Sequence, residues 1–100
     1  MTTDDLNGRI VEAVERHLPA AVALRRELHA QPEIGFEERA TSDRIAAYLA
    51  RLALSGVRRH VADYGIVALL RGRGNQGGGS VVGLRADMDA LSVQEETGLP

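Results

Sequence analysis

The chain contains one near-continuous apolar run, Tyr64-Gly65-Ile66-Val67-Ala68-Leu69-Leu70, with β-branched residues at its centre. A second short run follows at Ser80-Val81-Val82-Gly83-Leu84. Short apolar runs bounded by glycine are typical of buried strands. Five glycines lie in the connecting residues 71–79, and the simplest link for such a connection is an antiparallel hairpin. The sequence therefore predicts a hairpin of residues 64–70 with residues 80–86.

The same connection offers an alternative, a phosphate-binding loop. Gly72, Gly74 and Gly77 have the spacing of a GxGxxG dinucleotide fingerprint, which requires a helix immediately after it. A β-branched run follows instead, so we favour the hairpin. The phosphate loop remains the basis of a lesser alternative, a small independent α/β protein that binds a ligand.

Helical periodicity dominates the sequence before these runs. A first helix is predicted over residues 1–18, and Pro19 is expected to interrupt it because proline lacks an N–H donor and clashes with the preceding turn. Proline is also accepted in the first turn of a helix, so a second helix is predicted from Ala20 to about His29. The apolar stripe of the first helix consists of Ile10, Val11, Val14 and Leu18.

A turn at residues 32–35, which contains both proline and glycine, separates these helices from a third. We expect the third helix to run from about Glu37 to Leu54, with Gly56 as the left-handed residue just past its end. A short extended piece is expected at Val57–Val61.

Composition excludes several classes of protein. Hydrophobic residues make up 44% of the 100 residues and the formal net charge is −2, which fits neither a disordered chain nor a basic nucleic-acid-binding domain. No apolar run reaches the roughly 18 residues that cross a bilayer, and the acidic residues 1–5 differ from the start of a signal peptide. The chain has no cysteine, hence no disulfide or thiolate. We expect a soluble, cytoplasmic protein that binds neither nucleic acid nor membrane.

Two carboxylates follow the second apolar run directly. Asp87 and Asp89 are spaced by two, so in an extended backbone they point to the same side. At the end of a strand they could bind a divalent cation or orient a ligand histidine. The structural alternative is that one carboxylate caps a turn and the other is solvated. The residues alone leave both interpretations open.

The three histidines do not share a metal-ligand spacing. His29 is expected at the end of a helix, where it would satisfy terminal carbonyls. His17 is expected to be exposed, and His60 falls in a basic stretch. From these residues alone, neither a complete metal site nor a catalytic triad can be assembled.

Two longer stretches carry a family resemblance. The first reads Arg25-Arg26-Glu27-Leu28-His29-Ala30-Gln31-Pro32-Glu33-Ile34-Gly35-Phe36-Glu37-Glu38, with Thr41 after it. The second reads Gly83-Leu84-Arg85-Ala86-Asp87-Met88-Asp89-Ala90-Leu91, followed by Gln94-Glu95. Together they resemble the two opening motifs of the metal-dependent N-acyl-amino-acid amidohydrolases, which include aminoacylases, hippurate hydrolases, indole-acetyl-amino-acid hydrolases and N-acetyl-diaminopimelate deacetylases. The resemblance covers roughly residues 20–100.

The resemblance implies an α/β fold with two domains. An α/β/α catalytic domain similar to the zinc exopeptidases carries a smaller domain that serves as lid and dimer contact, in a homodimer or homotetramer. Two divalent ions, zinc or manganese, would activate a water molecule that attacks the amide of a small N-acyl or N-aroyl amino acid.

The resemblance also assigns one site residue, Asp87, which matches the aspartate of the His-x-Asp motif in related peptidases. Arg85 stands in the histidine's place, and Ser92 stands where the family usually has proline. The family's Cys-Gly-His-Asp-x-His motif, its other ligands and its general base are absent. We therefore expect residues 1–100 to be the N-terminal portion of a catalytic domain, without the lid domain. We expect this portion to hold no metal and to be inactive alone.

One further hypothesis belongs to a different class of protein. The chain would be a non-enzymatic module that pairs with a full-length paralogue through an exposed edge strand, because an unpaired strand edge invites association.

Overall fold

The computed structural model describes residues 1–74 and 79–100. In chain order the elements are helix α1 (Thr3–Ala30), helix α2 (Arg39–Leu49), strand β1 (Gly56–Val61) and strand β2 (Gly65–Leu69). The chain divides into two compact units, one of Met1–Gln31 with Thr97–Pro100 and one of Pro32–Glu96. Neither helix is long and apolar enough to cross a membrane, within the described ranges.

Helix α1 begins with a reciprocal cap. The Thr2 hydroxyl accepts a hydrogen bond from the Asp5 amide at 3.1 Å, and the Asp5 carboxylate accepts one from the Thr2 amide at 3.0 Å. This capping box satisfies two donors that a helix start would otherwise leave unpaired. The hydrogen bonds from Thr2 also lower the pKa of Asp5, so its negative charge stays at the positive end of the helix dipole.

The predicted break at Pro19 is wrong, since α1 continues through this residue for a total of 28 residues. Proline removes one hydrogen bond from the helical ladder and strains one turn. Strong helix formers surround it, including Ala20, Ala21 and Leu24. Their propensity and the intact hydrogen bonds on both sides outweigh the local cost, so the two predicted helices are one.

Helix α2 is shorter than predicted at both ends. Glu37 belongs to the preceding turn and Glu38 is the N-cap residue, while the helix ends at Leu49 with Ala50 as its C-cap. The expectation for Gly56 is also wrong: this glycine begins β1 and does not have the left-handed backbone of a helix cap. Because the helix ends earlier, the chain is already extended when it reaches Gly56.

The strands β1 and β2 form an antiparallel pair. This confirms the extended piece at 57–61 and the strand within 64–70. The predicted partner is wrong, since residues 80–86 form no strand in the described part of the chain. Strand β1 lies nearer in sequence, joined to β2 through residues 62–64 alone, and short connections are the usual ones in hairpins. The proposed phosphate loop includes Gly77, which lies outside the described residues.

The turn of the hairpin carries unusual backbone geometry. In the turn, Ala62 and Asp63 have φ values of 50° and 74°, and His60, at the register shift near the end of β1, has a φ of 59°. Hairpin turns favour such left-handed residues because they match the twist of the strands. Aspartate tolerates this region well, whereas alanine does so at a cost.

Burial is concentrated at the start of α2. Thr41 and Ser42 are 4% and 0% exposed, whereas no apolar side chain of residues 1–74 and 79–100 is fully buried. Val81, Val82 and Leu84 are 92%, 82% and 98% exposed. The best-anchored part of the described structure is therefore the polar region around Thr41 and Ser42. Two helices and an antiparallel hairpin are compatible with the predicted α/β class.

Candidate functional site

Glu33 caps helix α2 from outside the helix. One carboxylate oxygen accepts hydrogen bonds from the Thr41 amide at 2.5 Å and the Thr41 hydroxyl at 2.6 Å. The other accepts a bond from the Ala40 amide at 3.2 Å. The N-cap residue itself, Glu38, makes no such side-chain bond. Glu33 thus satisfies amide donors that the first turn of any helix leaves open.

These contacts favour the ionised form of Glu33. The Thr41 hydroxyl, followed by the Thr41 amide, lowers the pKa of the Glu33 carboxyl below its ordinary value, and Arg44 adds a smaller effect in the same direction. Charge-assisted hydrogen bonds of this kind are stronger than neutral ones. At neutral pH the side chain is a fixed anion at a helix N-terminus.

The turn after Glu33 holds an aromatic residue in a strained conformation. The Glu37 amide donates to the Ile34 carbonyl at 3.0 Å, which closes a β-turn. Its third residue, Phe36, has φ of 65° and is 76% exposed. A type II turn requires positive φ at this position and normally has glycine there. A bulky residue in this region marks local strain.

The two family-like stretches meet at this turn. The Ala90 amide donates a hydrogen bond to the Glu33 carbonyl at 2.7 Å, and Ile34 and Ala90 form a parallel bridge. A Cβ atom placed on Gly35 would lie 3.5 Å from a carboxylate oxygen of Asp89. Residues 33–35 and 89–90 therefore run side by side.

Asp87, the predicted site residue, lies in an exposed irregular segment and not at the end of a strand. Its carboxylate pairs with Arg85 at 3.1 Å, and the two side chains are 70% and 88% exposed. An exposed pair of this kind contributes little to stability. The catalytic role of Asp87 stays a prediction.

The structure does not assemble a metal centre from the candidate residues. His29 lies in the last turn of α1, as expected, and the exposed His60 has a ring nitrogen 3.2 Å from the Asp63 carbonyl in the hairpin turn. Within residues 1–74 and 79–100, no three histidine, aspartate or glutamate side chains are grouped so as to hold a metal ion. The described residues therefore offer no grouping for the pair of divalent ions that the resemblance implies.

Two further contacts tie α2 to the hairpin. The Ser42 hydroxyl donates to the Tyr64 carbonyl at 2.8 Å. Arg59 donates to Asp43 at 2.5 Å, and this hydrogen bond lowers the pKa of Asp43. Through Thr41 and Ser42, which are adjacent and buried, the turn at Glu33, helix α2 and the hairpin form one connected unit.

The roles of Glu33, Thr41 and Ser42 were not evident in the sequence. Glu33 and Thr41 stood in the first motif only as matching letters. The available signal was the pair of hydroxyl residues Thr41 and Ser42 near the start of an amphipathic helix, preceded by Glu33 in the segment between the two helices. Reading that signal required the true start of α2 at Arg39.

The known proteins that this chain resembles include three deacetylases. The chain is 37% identical over 79 residues to the N-acetyldiaminopimelate deacetylase of Listeria monocytogenes serotype 4a (strain HCC23) and 35% identical over 79 residues to the N-acetylcysteine deacetylase of Bacillus subtilis (strain 168). The N-acetyldiaminopimelate deacetylase of Listeria welshimeri is also 37% identical over 79 residues. Each match covers 79% of this chain and 20% of the relative.

The chain thus spans about a fifth of the length of the curated relatives that it matches. No family model matches it, and no solved structure does. All three relatives are named as deacetylases of N-acetylated amino acids.

Proposed function

We propose that this chain is part of an amidohydrolase that removes the acyl group from small N-acyl amino acids. The observation that carries the proposal is its identity of 35–37% over 79 residues with deacetylases of two different N-acetylated amino acids. The contact between Glu33 and Ala90 supports it, because it brings the two family-like stretches together in space. The interaction-module alternative is not favoured, since the relatives are named as enzymes.

In this proposal the chain contributes scaffold and one site residue, Asp87. Its carboxylate is 70% exposed and lies in a surface pair with Arg85, so it can accept a hydrogen bond from a group supplied by another part of the protein. A carboxylate acting in this way fixes the orientation of its partner. The metal ligands and the general base would lie outside residues 1–100.

The finer assignments belong to the same proposal. The complete protein would have a zinc-exopeptidase-like α/β/α domain with a smaller second domain, two zinc or manganese ions, and a homodimeric or homotetrameric assembly in the cytoplasm. The run at residues 80–84 supports a larger domain. Its apolar side chains would lie on both faces of a strand, and those of Val81, Val82 and Leu84 are nearly fully exposed here. Such a run is typical of a strand covered on both faces.

The test is an assay of the protein expressed from its complete natural reading frame. We expect acetate release from N-acetylcysteine and N-acetyldiaminopimelate, abolished by a chelator and restored by zinc or manganese. The 100-residue chain under the same conditions is the matched control, and we expect no turnover from it. Absence of hydrolysis across a panel of N-acyl amino acids, with either metal added, would overturn the proposal.

A further inference from the structure

We propose that Glu33 is a positioning residue that holds the segment Asp87–Ala90 in place. Its backbone carbonyl binds that segment, and its carboxylate fixes the carbonyl to helix α2. The inference rests on the proposed function, because the position of this segment affects catalysis only if Asp87 acts in the reaction.

The first step concerns the carboxylate. Glu33 is half-buried and accepts three hydrogen bonds from two successive residues of one helix, Ala40 and Thr41. The three bonds use both oxygens, so the side chain cannot rotate without losing them. Thr41 is buried and its neighbour Ser42 is bonded to the hairpin, so this end of α2 is held on both sides.

The second step concerns the backbone. The Glu33 carbonyl accepts the Ala90 amide at 2.7 Å, and Ile34 continues the contact as a parallel bridge to Ala90. Asp87 lies three residues earlier, and its side chain is in an exposed pair with Arg85. The bridge at Ala90 therefore sets where the segment leaves the scaffold.

The strained turn gives independent support. Phe36 keeps a φ of 65° while its ring is exposed, so packing of the ring does not explain the conformation. Backbone strain persists where the surroundings over-determine it, and such sites cluster at functional positions. At Gly35 a side chain would reach the Asp89 carboxylate at 3.5 Å, so the turn and the acidic segment fit closely.

The experiment compares Glu33→Gln with Glu37→Gln in the complete protein. Glutamine at position 33 turns one acceptor oxygen into an NH₂ donor facing backbone N–H groups, whereas Glu37 is exposed in the same turn. For Glu33→Gln we expect kcat to fall about 10- to 100-fold, as expected for a misplaced catalytic group, while KM changes much less. The control should keep its kcat.

A spectroscopic readout separates positioning from general loss of stability. With ¹⁵N-labelled alanine, and Ala90 assigned from its missing signal in Ala90→Gly, we expect the Ala90 amide to lose hydrogen-exchange protection in Glu33→Gln while alanines of α1 keep theirs. An unchanged Ala90 amide together with an unchanged kcat would overturn the inference. So would an equal loss of protection at all alanines, which indicates general destabilisation.

Two outcomes require a further measurement: failure of Glu33→Gln to fold, and absence of hydrolysis by the unmodified protein. If Glu33→Gln does not fold, Thr41→Val removes only the hydroxyl bond to Glu33, and its kcat and Ala90 amide decide in the same way. If the unmodified protein hydrolyses no N-acyl amino acid, the proposed function fails. The Ala90 amide then still decides whether Glu33 holds the segment.

Discussion

The carbonyl of Glu33 accepts a hydrogen bond from the amide of Ala90 at 2.7 Å. This bond joins two segments that lie far apart in the sequence. Because the Glu33 side chain is bonded to Thr41 at the same time, this one residue connects the segment Asp87–Ala90, the turn and helix α2.

Glu33 should make stability depend on pH in the acidic range. Its pKa is lower in the folded chain than the ordinary value of 4.5, so the unfolded chain takes up a proton first. The stabilisation is fully present above the ordinary pKa and is lost as pH falls through the lower, folded value. Urea unfolding between pH ~6 and ~3 should show a steeper loss for the natural chain than for Glu33→Gln. Glu37→Gln serves as control, and equal pH profiles for all three chains would contradict the assignment.

Ser42→Ala should destabilise the chain by about 1–2 kcal/mol. The substitution removes the hydroxyl that donates to the Tyr64 carbonyl at 2.8 Å, in a residue with no exposed surface, so an acceptor is left without its donor. Chemical unfolding measures the loss. Ser80→Ala changes an exposed serine and should have almost no effect. A similar cost at both positions would show that the Ser42 hydroxyl is not a significant contact.

Ala62→Gly should stabilise the hairpin by up to about 1 kcal/mol. Ala62 has φ of 50°, a region that costs alanine about 1–2 kcal/mol, and the greater freedom of glycine in the unfolded chain offsets part of that gain. The matched control is Ala68→Gly in β2, where Ala68 pairs with Val57. That change should destabilise by roughly 0.5–1 kcal/mol. Destabilisation at both sites would argue against the left-handed turn.

Asp87→Ala should reduce activity without reducing stability. The side chain is 70% exposed and its partner Arg85 is 88% exposed, so little folding energy depends on it. If it orients a catalytic group, kcat of the complete protein should fall about 10- to 100-fold. Glu96→Ala, another exposed acid, is the control. Near-normal turnover of the Asp87 variant would remove Asp87 from the site.

Local pattern predicted the regular elements better than their partners. The strand at 65–69 followed from a β-branched apolar run, and the extended piece at 57–61 from the change of period after Gly56. The pairing of the two did not follow, because the sequence favoured the apolar run at 80–84 as the partner of the strand. The break at Pro19 was predicted from the properties of that one residue, whereas the stability of helix α1 depends on all of its 28 residues.

The candidate site divides in the same way. Asp87 could be selected from a motif, since a motif is read along the chain. The role of Glu33 could not, because it depends on which amides the start of α2 leaves open and on the distant Ala90. Contacts between segments remote in sequence have no local signature, and such a contact joins Glu33 to Ala90.

The exposed run at Val81, Val82 and Leu84 favours association between copies of the chain. Short uncharged segments rich in β-branched residues, with unpaired backbone groups, readily stack into intermolecular sheets. A polypeptide that displays such a segment would depend on chaperones or on rapid burial to remain dispersed. The fraction of the polypeptide that stays in solution should then fall as its concentration rises.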